Sequence, residues 1–264
     1  MNQDNPLPEK LAGISRNQYG VATLFIPGSE TASHSRLLEA VQQQIISLQH
    51  NEEVKGIIFA AQGNCFCCCS SLGNAAMYDA ARLATFGQQV MFNIESIGKP
   101  SITVISGICT GIGLELALAS DFIIAADSAR FGFTDISSGI LPFCGGTQRL
   151  ARLIGKSKAK ELIFSGETID AGEALRIGLI NRLYQQDALQ TEAEALMQKI
   201  CSRSSFALKI GGEVINAGYD IDLKTACMLE RDAFALIFSS HDQREGMQAF
   251  LEKRQPLFGG QGKN

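Results

Sequence analysis

The chain has 264 residues, 45% hydrophobic and 19% charged, which supplies enough apolar material for a full core and excludes a disordered protein. A formal net charge of −4, without a basic run of five or more, argues against a protein that works by coating nucleic acid or anionic membrane. No stretch reaches the roughly 18 apolar residues of a membrane helix, and Met1 to Lys10 lacks the apolar run of a secretory signal, so a cytoplasmic location is expected.

From the amino terminus, an apolar run at 20–26 predicts a buried strand and an amphipathic pattern at 35–48 a helix. A second strand is expected at 55–60, a long helix at 75–97 and a third strand at 101–106. Between the second strand and the long helix lies Cys65-Phe66-Cys67-Cys68-Cys69, which holds half of the chain's 8 cysteines. His34, His50 and His241 are remote from it in sequence and no second Cys-x-x-Cys follows, so thiols in a buried turn are expected there rather than a metal site.

The third strand leads into Gly-Ile-Gly-Leu-Glu-Leu-Ala-Leu-Ala-Ser-Asp at 111–121, a glycine-flanked turn followed by a helix expected at 113–120. The unpaired N–H groups and positive dipole end of such a helix suit an oxyanion, and Glu115 lies in its first turn among apolar residues. A strand at 122–126 and a turn at 127–129 then return the chain, so that Asp135 is expected near Glu115. Two carboxylates on one pocket can divide acid and base roles. Taken alone, each also has a structural explanation: Glu115 complements the helix dipole, and Asp135 caps a turn.

Helices at 146–153 and 188–199 are expected around a strand at 179–183, which gives an alternating α/β core. After about Arg203 the strand patterns stop. Helical patterns at 222–238 and 242–254 predict a carboxy-terminal appendage, whose Met228, Phe234, Leu236, Ile237, Met247 and Phe250 suit packing on the core or on another subunit. Three common motifs fail. Gly155-Lys156-Ser157 has Leu150 where a phosphate loop needs its first glycine, Gly111-x-Gly113 has Leu116 at the third glycine of a dinucleotide fingerprint, and no Gly-x-Ser-x-Gly elbow occurs.

The segments at 99–107, 111–121, 129–132, 145–150 (Gly-Gly-Thr-Gln-Arg-Leu), 166–180 and 244–254 with Pro256 closely resemble, in order, the enoyl-CoA hydratase/isomerase or crotonase superfamily. The resemblance spans roughly Gly20 to Phe258 and implies an α/β spiral of repeated ββα units at 1–203, followed by a helical trimerisation region at 204–264. It implies an acyl-CoA thioester substrate, a homotrimer or dimer of trimers, and no cofactor or metal beyond the coenzyme A of the substrate. By position, the backbone N–H groups of Ser70 and Ile112 would polarise the thioester oxygen. Glu115 would activate a water for attack at C3, and Asp135 would deliver or remove the C2 proton. Phe250 and Lys253 match positions that reach a neighbouring subunit's coenzyme A. Hydration of a 2,3 double bond is therefore the expected reaction. Its rivals are Δ3,Δ2 isomerisation or decarboxylation on a CoA or acyl-carrier thioester, and a non-catalytic binding role. Asp135 stands where the hydratases have Glu, Cys69 and Ile112 where the family has glycine, and Ser71 where it has Asp.

Overall fold

The computed structural model describes residues 14–27, 33–67 and 76–259. The chain opens with β1 (Ile14–Arg16), β2 (Val21–Pro27) and α1 (His34–Gln49), then runs through β3 (Gly56–Gln62), β4 (Cys65–Phe66) and α2 (Met77–Glu95). β5 (Ser101–Ile105), β6 (Ile108–Thr110) and α3 (Ile112–Ala117) follow, then β7 (Phe122–Ala126), β8 (Arg130–Gly132) and a 3₁₀ turn at Thr134–Ser138. After β1, β2 and α1, the units β3-β4-α2, β5-β6-α3 and β7-β8 with its 3₁₀ turn each send their first strand to one sheet and their second to another.

The larger sheet has the order β1-β2-β3-β5-β7-β10, parallel except for the β1–β2 pair, with β10 formed by Arg182–Tyr184. The smaller has the order β4-β6-β8-β9, with β9 formed by Thr168–Asp170. This is the expected spiral of ββα units, and it places the end of every repeat on the same side of the large sheet.

Alternate residues of the large sheet feed two apolar cores, as a parallel sheet covered on both faces requires. Ile57, Phe59, Ile105, Ile123 and Ala125 face the side packed by α1, α2 and α3. Ile58, Ile102, Val104 and Ile124 face Leu189, Ala193, Met197 and Cys201 of a later helix at Leu189–Cys201. That helix approaches so closely that a Cβ on Gly56 would lie 2.5 Å from Met197 Sδ and 2.6 Å from Cys201 Sγ.

α4 (Gly146–Ile154) and α5 (Lys156–Ser165) precede β9, and α6 (Ala171–Arg176) joins β9 to β10; the Leu189–Cys201 helix is α7. The carboxy-terminal part is helical, as expected: α8 (Ser205–Tyr219), α9 (Leu223–Ile237) and α10 (His241–Leu251). No residue of α8 or α9 is buried, and Met228, Phe234, Leu236, Met247 and Phe250 are exposed. Among the described residues, no helix is long and apolar enough to cross a membrane.

The cysteine expectation needs one correction. Cys109, Cys201 and Cys227 are free thiols, and burial pushes the Cys201 thiol up to about 11 and the Cys109 thiol higher still. Cys65, however, is disulfide-bonded.

Candidate active site

Gly111 is the pivot between β6 and α3. It caps α3 with φ +54° and ψ −129°, a conformation closed to side-chain-bearing residues, and a Cβ there would strike Asp135 Oδ2. The exposed carboxyl of Asp135, carried on the 3₁₀ turn, therefore sits directly against the start of α3. Glu115 donates its backbone N–H to the Gly111 carbonyl at 3.1 Å, so it lies one helical turn beyond the glycine that Asp135 abuts. The helix, strand and turn that separate the two acids in sequence thus return Asp135 to the start of α3.

All six residues of α3 are buried, and Glu115 is only 1% exposed. Its Oε1 accepts hydrogen bonds from the backbone N–H groups of Cys144 at 2.8 Å and Gly146 at 2.7 Å, while Oε2 faces the Phe143 N–H at 3.4 Å. These donors lead into α4, whose N-cap is Gly145, a residue with no side-chain oxygen to satisfy them. Glu115 thus caps a helix to which it does not belong. Burial pushes its carboxyl up to about 7, against the opposing pull of those three N–H groups and the Arg149 charge. A carboxyl that titrates there can both give and take a proton near neutral pH.

Ile112 is the first residue of α3 and is 3% exposed, so its N–H has no partner within the helix. The segment after β4 crosses this helix end: a Cβ on Gly113 would strike the Phe66 carbonyl oxygen and come within 3.2 Å of Cys67 Cβ. Cys67 takes φ +60°, a left-handed geometry that costs a non-glycine residue on the order of 1–3 kcal/mol. Ser70 and Cys69, assigned from the resemblance, lie outside the described residues.

Phe250 lies on α10 and is 78% exposed, with Lys253 just beyond it at φ +54°. Among the described residues, no hydrogen bond or ion pair joins either to Glu115 or Asp135, so within one chain these positions stand apart from the carboxylates. Nor do the described residues hold a group of three or more His, Cys, Asp or Glu side chains suited to a metal ion.

Two features were not read from the sequence. The Phe143 to Gly146 donors act through backbone atoms and leave no side-chain pattern. His34 packs its ring against Phe143, centroids 5.7 Å apart, and feels the Asp135 charge, while burial lowers its pKa. Only its place directly after the Ser33 N-cap of α1 marked it.

The chain matches the enoyl-CoA hydratase/isomerase family over residues 20–261. It is 35% identical to a crotonyl-CoA hydratase of Syntrophomonas wolfei, over 93% of this chain and 96% of that one. It is 34% identical to a short-chain-enoyl-CoA hydratase of Clostridium acetobutylicum, over 96% and 97% of the two chains. The crystal structure of an enoyl-CoA hydratase from Bacillus anthracis superposes with a TM-score of 0.88 at 31% identity, covering 96% of this chain and 100% of that one. Match length, order of motifs and shared fold agree: this chain belongs to the enoyl-CoA hydratase/isomerase, or crotonase, family.

Proposed function

We propose that the protein is an enoyl-CoA hydratase that adds water across the 2,3 double bond of an enoyl thioester, with Glu115 and Asp135 as its acid–base pair. The observation that carries this reading is a buried carboxyl, gripped by backbone N–H groups and pushed by burial up to about 7, on a helix whose starting residue, Gly111, has a second acid against it. The hydratase names of its relatives favour the same reaction. In it, the Ile112 and Ser70 N–H groups hold the thioester oxygen and stabilise the enolate as it forms. Glu115 takes a proton from water as the water oxygen bonds to C3, and the π electrons move toward the thioester oxygen. Asp135 protonates C2, after which the Glu115 proton returns to Asp135 through solvent.

The same reading takes an acyl-CoA as substrate, assigns the chemistry to residues 1–203 and subunit contacts to residues 204–264, and makes the protein a cytoplasmic homotrimer or dimer of trimers without a further cofactor. The exposed apolar side chains of α9 and α10 support subunit packing. Phe250 and Lys253 then meet coenzyme A only across a subunit boundary.

Purified protein incubated with crotonyl-CoA is expected to consume the conjugated-thioester absorbance. Conversion of a 3-enoyl-CoA without water uptake, and no hydration at any chain length, would assign the isomerase reaction instead. For the hydratase, kcat/KM should fall about tenfold per pH unit below about 7, because a protonated Glu115 cannot accept the water proton. A flat profile from pH 5 to about 8 contradicts the base role.

Gly146→Ala tests the grip on Glu115. The new Cβ would lie 2.8 Å from both Glu115 Cγ and Oε1 and 3.1 Å from Phe133 Cζ. Displacing the carboxylate is expected to lower kcat about 100-fold, and the overpacking to cost about 1–3 kcal/mol by denaturant titration.

A further inference from the structure

The segment that grips Glu115 is itself held from behind. Arg149, in the first turn of α4, donates from Nη1 to the Cys144 carbonyl oxygen at 3.0 Å. Its Nε and Nη2 donate to Glu95 Oε1 and Oε2 at 2.6 and 2.8 Å, a bidentate pair at the last residue of α2. Phe92 lies one turn earlier, with its ring 5.2 Å below the guanidinium carbon. Gln88, a further turn back, donates its Nε2 to the Phe143 carbonyl oxygen at 3.1 Å. Both peptide planes around Cys144 are therefore fixed: one carbonyl by Gln88, the other by Arg149. The plane held by Gln88 carries the Cys144 N–H that points at Glu115, and the plane held by Arg149 joins that donor to the next one, the Gly146 N–H.

An ion pair of this kind adds little stability on its own, since the desolvation of both charges offsets their attraction. Its planar fork does confer geometry, because two parallel hydrogen bonds allow one orientation of the guanidinium. The Arg149 side chain is 13% exposed, against 32% for Glu95, so water does not compete for the inner contact with Cys144. The charged and titratable groups around the segment are Arg149 and Glu95 behind it, Asp135 against Gly111, and His34 against Phe143. Of these, Arg149 is the charge that lowers Glu115.

We propose that Arg149, locked by Glu95, is a positioning residue for Glu115: by holding the Cys144 carbonyl it fixes the 144–145 peptide that joins the two donors, and so keeps the Cys144 and Gly146 N–H groups aimed at the carboxylate. Arg149 touches no reacting atom in this scheme. It sets where the Glu115 carboxylate lies and how readily it takes a proton. The activity arm of the test rests on the hydratase reading; the spectroscopic arm does not.

The test compares Arg149→Met and Arg149→Lys with wild type. One readout is the pH titration of the protonated Glu115 carboxyl stretch in the infrared, identified by its loss in Glu115→Gln. The other is kcat and KM for crotonyl-CoA. Arg149→Met is expected to raise the Glu115 midpoint by about one pH unit and to lower kcat about tenfold, with KM within about twofold of wild type. Arg149→Lys keeps the charge but lacks the fork, so it is expected to raise the midpoint by about half as much and to restore only part of kcat. A wild-type midpoint in the variants, or full rescue by lysine, overturns the proposal. If Arg149→Met does not fold, the Arg149→Lys comparison decides alone. If wild type does not hydrate crotonyl-CoA, the hydratase reading fails and the infrared titration still decides the positioning role.

Discussion

Glu115→Gln is expected to lower kcat for hydration about 10²–10⁴-fold with KM little changed, the usual size of a lost acid–base group. The amide is nearly isosteric, and its oxygen can still accept the Cys144 and Gly146 N–H groups now bonded to Oε1 at 2.8 and 2.7 Å. What it cannot do is take a proton from water. The same variant should change how stability depends on pH. The Glu115 carboxyl rises from an unfolded value of 4.5 to about 7 on folding, so between those values the folded chain binds more protons than the unfolded one. Its contribution to stability is therefore fully present below about 4.5 and is lost as pH rises through about 7, a change on the order of 3 kcal/mol. Denaturant titrations across that window should show the loss in wild type and not in Glu115→Gln. An equal slope in both would contradict the raised carboxyl, whatever the kinetics show.

Asp135→Asn is expected to lower hydration by about 100-fold and to suppress exchange of the C2 hydrogen with solvent deuterium. Asp135 is exposed on its 3₁₀ turn, so the fold should tolerate the change within about 0.5 kcal/mol. The contrast with Glu115 is the informative part. One carboxyl is buried and holds two backbone segments together, while the other faces solvent against Gly111. If Asp135→Asn hydrates at the wild-type rate, Asp135 is a turn residue and Glu115 serves both proton transfers.

The five strands of the large sheet expected from the sequence are present; the inner ones are covered on both faces and so are mostly apolar, as in β5 with Ile102, Val104 and Ile105. Only the last shifted: Leu179 and Ile180 are buried in the turn that precedes β10 rather than in the strand. The small sheet was not legible, since strands of two or three residues such as Cys65–Phe66 and Ile108–Thr110 are too short to show a period. α8 falls in the stretch after Arg203 expected to be helical but was not singled out as a segment. None of its residues is buried in the single chain.

In the site, Glu115 and Asp135 were legible as carboxylates that the chain returns to one glycine turn. The grip on Glu115 was not. Cys144 and Gly146 contribute only N–H groups, which every residue but proline carries, and the Glu95–Arg149 pair joins positions far apart in the chain. Sequence spacing reports which acids a fold can bring together. The backbone donors that set their proton affinity become visible only once the chain is folded.

The most direct measurement is hydration of crotonyl-CoA in water enriched in heavy oxygen, run with wild type and Glu115→Gln and read by mass spectrometry. The expected result is a 3-hydroxyacyl-CoA carrying the label at C3, formed by wild type and almost absent with the variant. Unlabelled or unreacted thioester with folded wild-type protein, or equal labelling by both proteins, would contradict a hydratase built around Glu115.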